Sequence, residues 1–558
     1  MPAPWADRVQ VGSMVRIALN GRRVGGWVTT LDTKAPTGVS VAPLTKLSGV
    51  GPSADMIDLG RWAAWRWAGR LATFLTTASP PGMVDHLPTR SLGGSRQPLT
   101  RFLSQRTEFD EHFDRPRTVL RLPPTADPYP VALAAAARGD ALILCPSVAA
   151  ARDLAVRLKR AGAKIALHPR DWALAAAGGV SVVGTRAAAF APLPALAAVV
   201  VIDEHDEAFQ NEGSPTWHAR DVALERARRA RVPAVMTSPC PSLESVLRSP
   251  LVTVSRTDER AGWPIVEVID RRDDDIGRTG LYSEALVRGL RTAGRSVCVL
   301  NRTARAGLLA CRQCGEITSC DACAAAVVEA EAGTLVCRRC GVTRPVVCQT
   351  CGASKLANLR QGIGRAREEL EALLGEPVAE LSAATRGADP PSTRVVVGTE
   401  AALHQIDSAA LVAFLEIDQE LLASRYRAAE QSLGLLARAA RLVGPRGGGG
   451  RILCQTRVPD HEVLRAATLA DPGIVMEAER ARRAVTGFPP AVTMALVGGP
   501  AAGEYVERVG TPLGIEIRQR DDSWLLVADD RKLLLDTLAA VDRPPGRLRL
   551  QIDPMRLS

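Results

Sequence analysis

Eight of the twelve cysteines fall in one 41-residue stretch, as four C-x-x-C pairs: Cys311/Cys314, Cys320/Cys323, Cys337/Cys340 and Cys348/Cys351. Each such turn aims two thiolates at one point, and two turns complete a tetrahedral four-thiolate metal site. Four pairs therefore specify two sites. The segment between the second and third pairs, AAAVVEAEAGTLV, reads as two short strands about a turn at Glu331-Ala332-Gly333. A hairpin there brings Cys337 and Cys340 back beside Cys320 and Cys323, leaving Cys311 and Cys314 to join Cys348 and Cys351. The expectation is a nested pair of structural Zn2+ sites with no open ligand position. A rubredoxin-like iron site or a redox pair is the other chemistry open to this spacing. The start, MPAPWADRVQVG, lacks the basic and apolar regions of a secretory signal, and no apolar run reaches membrane-spanning length. A cytoplasmic chain, in which disulfides are disfavoured, is the expectation.

The cysteines interrupt a regular α/β pattern. From Thr118, buried-type strands (ALILCP, SVVGTR, AVVVIDEH, PAVMTS) alternate with alanine-rich helical stretches. A second block repeats this from about Val266 (VEVIDRR, RSVCVLNR, TRVVVGTE, AFLEIDQEL, GRILCQT). Two parallel-sheet lobes are expected. Ahead of them, SMVRIALNG, RRVGGWVTTL and GVSVAPL read as a small antiparallel β unit. Leu59–Leu75 has a helical period and carries Trp62, Trp65 and Trp67, read as a core stripe. The expected division is a β-rich N-terminal domain (1–82), a linker (83–117), lobe one (118–262), lobe two (263–460) with the cysteine insertion (311–352), and a mixed α/β C-terminal domain (461–558).

The net charge is +10, which suits an anionic partner such as nucleic acid. Lobe one ends a strand in Asp203-Glu204-His205-Asp206, the pattern by which nucleotide-driven motors deliver carboxylates to magnesium and an attacking water. Such a strand needs a glycine-rich loop with a lysine for the phosphates. The loop belongs after RTVLRL, where this chain reads PPTADPYP (Pro123–Pro130), with four prolines, no glycine and no lysine. Proline offers a phosphate no N–H. No Gly-Lys dipeptide occurs anywhere in the chain.

The order of motifs resembles the PriA family of primosomal replication-restart helicases (primosomal protein N′). VVGTRAAAFAPL (Val182–Leu193) resembles the family's strand and loop before its acidic motif. IDEHDEAFQ with the following WHARD resembles the DEEH motif and the aromatic-rich loop. PSLES (Pro241–Ser245) matches the third motif, LNR (Leu300–Arg302) precedes the cysteines, and VVVGTE and CQTRVPDH resemble parts of the second lobe. The resemblance implies two RecA-like helicase lobes with a double-zinc insertion in the second. The departures cluster on nucleotide handling. The positions of the phosphate loop's Lys and Thr are Pro128 and Tyr129. The two arginine-finger positions match Leu442 and Pro445 in RAARLVGP, with Arg441 one residue away. EAALHQI replaces a lysine-glycine-histidine stretch. VGSMVRIALNGRRVGGWV resembles only the second part of the family's first domain, so its opening hairpin is expected to be missing, and residues 83–117, read as a linker or a reduced subdomain, are expected to be too short for a typical winged helix.

The resemblance implies a replication-restart protein that binds forked or single-stranded DNA. Its implied partners are primosome and replicative-helicase loading proteins and single-stranded DNA-binding protein. It is expected to act as a monomer, without a membrane and without helicase activity, so ATP and Mg2+ are not expected to turn over. The alternative is an active ATP-dependent 3′→5′ helicase with a substitute phosphate site. Phe209 and Trp217 are candidates to stack on bases, and His218 and Arg220 to meet phosphates. Asp203, Glu204, His205 and Asp206 are read as a remnant acidic motif.

Overall fold

The computed structural model describes residues 5, 8–19, 21–33, 41, 43–89, 109–274, 280–301, 308–331, 333–359, 363–382, 385, 391–555 and 557. Arg302 of the LNR motif, Ala332 of the expected turn, most of GVSVAPL and linker residues 90–108 lie outside them. Among the described residues, no helix is long and apolar enough to cross a membrane.

Lobe one is a seven-stranded sheet in the order 251–253, 117–121, 234–238, 196–202, 140–144, 181–184, 165–167, with every pair parallel. Its central strand, Leu196–Ile202, is buried on both faces along Ala198–Ile202, as parallel sheets covered by helices require. Lobe two is a six-stranded sheet ordered 265–270, 451–456, 411–414, 296–299, 395–398, 378–381, also all parallel. The cysteine insertion leaves lobe two after strand Ser296–Val299 and returns to helix Ile363–Leu374. Helices Glu462–Leu469 and Gly473–Thr486 pack on helix Ala428–Val443 of lobe two and share its core through Val463, Leu464 and Val475. A separate four-stranded antiparallel sheet then begins at Thr493.

The N-terminal unit is a three-stranded antiparallel sheet, Met14–Leu19 flanked by Arg22–Trp27 and Leu44–Gly49. The helical period read over Leu59–Leu75 is two helices, Ala54–Arg66 and Leu71–Ala78. The break falls at Gly69. A Cβ there would sit 2.8 Å from Phe74 and from Pro215, so only glycine allows the hairpin to meet the loop of lobe one. From this corner a chain of ring contacts runs into lobe one. Trp62 stands edge-on to Trp67 at 5.4 Å, Phe74 lies 5.8 Å from Phe190, and Phe190 meets Trp217 edge-on at 5.2 Å. The same apolar core includes Leu526, Leu534 and Ile552 of the C-terminal sheet and its helix. The N-terminal helices, lobe one and the C-terminal sheet thus share one core, separate from that of lobe two.

His168 is 8% exposed in this body, and its Nε2 has no hydrogen-bond partner. Burial, with Arg226 nearby, lowers its pKa from 6.5 to about 4. The folded state then binds fewer protons than the unfolded state between those values. Its contribution to stability is complete above pH 6.5 and falls, on the order of 1 kcal/mol per pH unit, down to about pH 4. Melting temperatures from about pH 7 to about pH 4.5 should show a shallower acid slope in His168→Gln than in the parent.

Candidate interlobe site and cysteine centres

The acidic motif lies at the C-terminal end of strand Leu196–Ile202, where the backbone bends sharply. Asp203 is in the left-handed region, with φ +56°. Glu204 is fully buried, and both its oxygens are in use. The Ser242 amide donates to one at 2.7 Å. The Ser242 hydroxyl, the Ser245 hydroxyl and Arg220 Nη1 donate to the other at 2.8, 2.6 and 2.8 Å. A carboxylate held by three neutral donors and a guanidinium is a structural anchor, its oxygens already engaged by protein rather than by a water or a metal.

Asp203 and Asp206 point to lobe two. Arg441, in helix Ala428–Val443, places Nη1 and Nη2 2.7 and 2.6 Å from the two Asp203 oxygens, a bidentate fork. Its Nε donates to the Pro124 carbonyl at 2.9 Å. One turn earlier on the same helix, Arg438 donates to Asp206 at 2.5 Å. Burial alone would raise the Asp203 carboxyl, but Arg441, with smaller help from His205 and Arg438, holds it below its ordinary value. Burial keeps the His205 imidazole below its usual range despite the surrounding carboxylates. His205 Nδ1 is paired with the Ser238 hydroxyl at 2.8 Å.

The segment in the place of a phosphate loop is filled by its own side chains. Helix Tyr129–Arg138 starts behind Pro128, with Pro130 at its second position, and the Tyr129 N–H donates to Asp127 at 3.0 Å. Asp127 is ion-paired with Arg157, whose guanidinium lies 4.3 Å from the Tyr129 ring centre. Helix N-termini attract phosphate because their N–H groups are free. Here one is absent, another is taken, and a carboxylate already stands in front. The residues present do not fit a nucleotide triphosphate.

A second belt joins the lobes. Arg427 grips Glu244, and the Leu243 N–H donates to Glu430 at 3.1 Å. Arg483, 1% exposed, contacts Glu430 and Glu479 at 2.6 and 2.8 Å. Beside it lies a cleft of about 770 Å3 between the lobes and the C-terminal segment, lined among others by Gln210, Glu400, Gln431 and Arg549.

The aromatic-rich loop is arranged otherwise than expected from the sequence. Phe209 is fully buried and Trp217 is 4% exposed, at the end of the ring chain. His218 caps helix Ala219–Ala230, its Nδ1 accepting from the Arg220 N–H at 3.2 Å. Arg220, 5% exposed, is consumed by Glu204, Ser242 and Asp221. Phe209, Trp217 and Arg220 are buried, and His218 is half-buried. The rings of Phe209 and Trp217 belong to the apolar core shared with the N-terminal helices. Sequence reasoning passed over Arg438 as a partner and set Arg441 aside. The signal available was their i, i+3 spacing on a helix, which aims both at the same surface.

In the insertion, the Sγ atoms of Cys311, Cys314, Cys348 and Cys351 lie within 4.8 Å of one another, as do those of Cys320, Cys323, Cys337 and Cys340. Neighbouring sulfurs in each set approach to 3.5–3.6 Å. Four thiolates about 2.3 Å from one tetrahedral zinc would be about 3.8 Å apart, so each set fits the ion. Each pair is a knuckle closed by an N–H to the carbonyl of its first cysteine, from Gly315, Ala324, Gly341 and Gly352. All four closing residues have positive φ. Strands Val327–Glu331 and Thr334–Cys337 pair antiparallel between the second and third knuckles. The insertion is tied to lobe two by Arg339, which donates to the Cys323 and Ala423 carbonyls at 3.0 and 2.6 Å, and by Arg457, which donates to the Gly315 carbonyl at 3.3 Å.

Two parallel-sheet lobes, an acidic strand end facing the second lobe, and an inserted pair of four-cysteine centres define a multidomain α/β protein. No protein-family model matches the chain. The chain resembles the replication restart protein PriA along almost its whole length. It is 29% identical to the probable replication restart protein PriA of Mycobacterium tuberculosis (strain ATCC 25618 / H37Rv) over 98% of this chain and 88% of that one. It is 26% identical to replication restart protein PriA of Bacillus subtilis (strain 168), over 57% of this chain and 43% of the relative. The Treponema pallidum (strain Nichols) protein is 30% identical over 56% and 51%. The match thus spans about half or less of the Bacillus and Treponema proteins. Among solved structures, Dbp5 of S. cerevisiae bound to RNA and ADP BeF3 aligns at 11% identity and TM-score 0.35, over 71% of this chain and 98% of that one.

Proposed function

We propose that this chain serves replication restart by binding forked or single-stranded DNA, without a nucleotide-driven unwinding cycle. The observation that carries this reading is the occupation of the acidic motif by protein groups, Arg441 on Asp203 and four donors on Glu204. A phosphoryl-transfer site works through a metal on its carboxylates and an oriented water, and both positions are taken. Asp127 and Pro130 speak against the helicase reading for the same reason. DNA binding is supported by the net charge of +10 and by the N-terminal sheet. Arg16, Lys46 and Arg23 share one face of that sheet, through the pairs Arg16–Lys46, Arg16–Gly25 and Ala18–Arg23, and all three are exposed. The two cysteine centres are proposed to hold structural Zn2+ and to present the insertion to primosome and helicase-loading partners.

Fluorescence anisotropy with a labelled fork and a plain duplex tests this. The fork should bind more tightly, with affinity unchanged by ATP and Mg2+. The Arg16→Ala/Arg23→Ala/Lys46→Ala variant should lower the slope of log affinity on log salt by about 0.9 for each phosphate it no longer neutralises. Equal affinity for fork and duplex, or a shift on adding ATP and Mg2+, would contradict the reading.

A further inference from the structure

We propose that Arg441 and Arg438 form an ionic latch that holds the two lobes closed, with the Arg441 guanidinium standing at Asp203 in place of a divalent cation. The proposal rests on the reading that the site takes no nucleotide, and it adds what replaces the nucleotide. In a nucleotide-gated clamp, the ligand supplies the contacts that bring two lobes together, and its departure lets them part. Here those contacts are covalently part of lobe two. A single side chain, Arg441, bridges both walls of lobe one's would-be site: the acidic strand through Asp203 and the proline segment through the Pro124 carbonyl. The Asp203 side chain is 9% exposed and that of Arg441 36%, so the pair is partly shielded from solvent. Arg438 repeats the contact one turn away on Asp206, whose side chain is 12% exposed.

Further ion pairs cross between the lobes beside the latch. Arg427 on Glu244, Arg483 on Glu244 and the Leu243 N–H on Glu430 extend it, with Cys240 of lobe one reaching the apolar core of lobe two beside them. An ionic seam weakens with salt where an apolar one does not. Salt screens the half-exposed Arg438 and Arg441 more than the buried Arg483, so the latch is the part of this seam that salt weakens first. The cleft of about 770 Å3 shares Asp206 and Arg438 with the latch, so opening the latch opens one wall of the cleft.

The test uses the full chain and hydrogen–deuterium exchange of the peptides covering 123–129 and 203–206. In the parent at low salt these amides should be protected, equally with and without ATP and Mg2+. Arg441→Glu should speed their exchange by about tenfold or more, the effect expected of breaking a charge-assisted pair. Arg441→Lys keeps the charge and gives up the fork, so it should fall between. Arg438→Glu, through Asp206, should move the same peptides independently. Unchanged exchange in both Arg441→Glu and Arg438→Glu, with the parent still inert to ATP, would overturn the latch and leave the binding reading standing. Protection gained by the parent on adding ATP and Mg2+ would overturn the binding reading itself.

Discussion

Stripping metal from the two four-cysteine centres is expected to unfold the insertion while both parallel sheets persist. Structural zinc contributes on the order of 10–16 kcal/mol in small zinc domains, because the site does not exist in the unfolded chain. Apart from the Arg339 and Arg457 hydrogen bonds and the packing of Ile317 and Ala326 on lobe two, the insertion has little else to hold it. Its apolar cluster is Leu309, Ala325, Val327 and Leu335 gathered around the cysteines of the inner centre. The lobes, by contrast, keep their own cores. The two centres should also differ. Cys351 is exposed and Cys314 half-buried, whereas Cys320, Cys323 and Cys337 are buried. A chelator should therefore take the outer ion first. Metal analysis should find two zinc ions per chain in the parent and one in Cys320→Ser. Exchange of the strands Val327–Glu331 and Thr334–Cys337 should rise in that variant, while Leu196–Ile202 stays protected. Two zinc ions retained in Cys320→Ser would contradict the inner site.

The second large effect is on stability, at a residue that a working motor would need for chemistry. Glu204→Gln replaces one acceptor oxygen with a donor and leaves Arg220 buried beside Asp221 alone. Breaking a buried ion pair by removing one partner costs about 3–5 kcal/mol. For a lobe of this size, that is a fall of roughly 10 °C in Tm. Ser245→Ala, which removes a single neutral donor, should cost only about 1 kcal/mol. A Glu204→Gln chain that melts with the parent would show that Glu204 is not the anchor its contacts describe.

The parallel strands were legible in the sequence because a strand buried on both faces is a continuous apolar run, as in AVVVI before Asp203. The cysteine knuckles were legible because each is a local turn whose spacing fixes its geometry. The closing residue of the second knuckle, Ala324, carries positive φ without being glycine, so the turn is set by its ligands rather than by residue preference. The latch was not legible. Asp203 and Arg441 are 238 residues apart in the chain, and nothing local marks an arginine as the partner of a distant carboxylate. The burial of Phe209 and Trp217 was not legible for a related reason: both sit among polar residues, and the core that takes them in joins lobe one to the N-terminal helices and the C-terminal sheet. The helix break at Gly69 has the same origin, a close approach to Pro215 from another domain.

The central claim is that this fold works by binding, with its nucleotide site filled from within. ATP turnover by the purified chain with forked DNA tests it most directly, with Glu204→Gln measured alongside at a temperature where both are folded. The account predicts no turnover above background in either protein, with tight fork binding by the parent. Turnover by the parent that disappears in Glu204→Gln would contradict it, and would mean that the acidic strand still does chemistry.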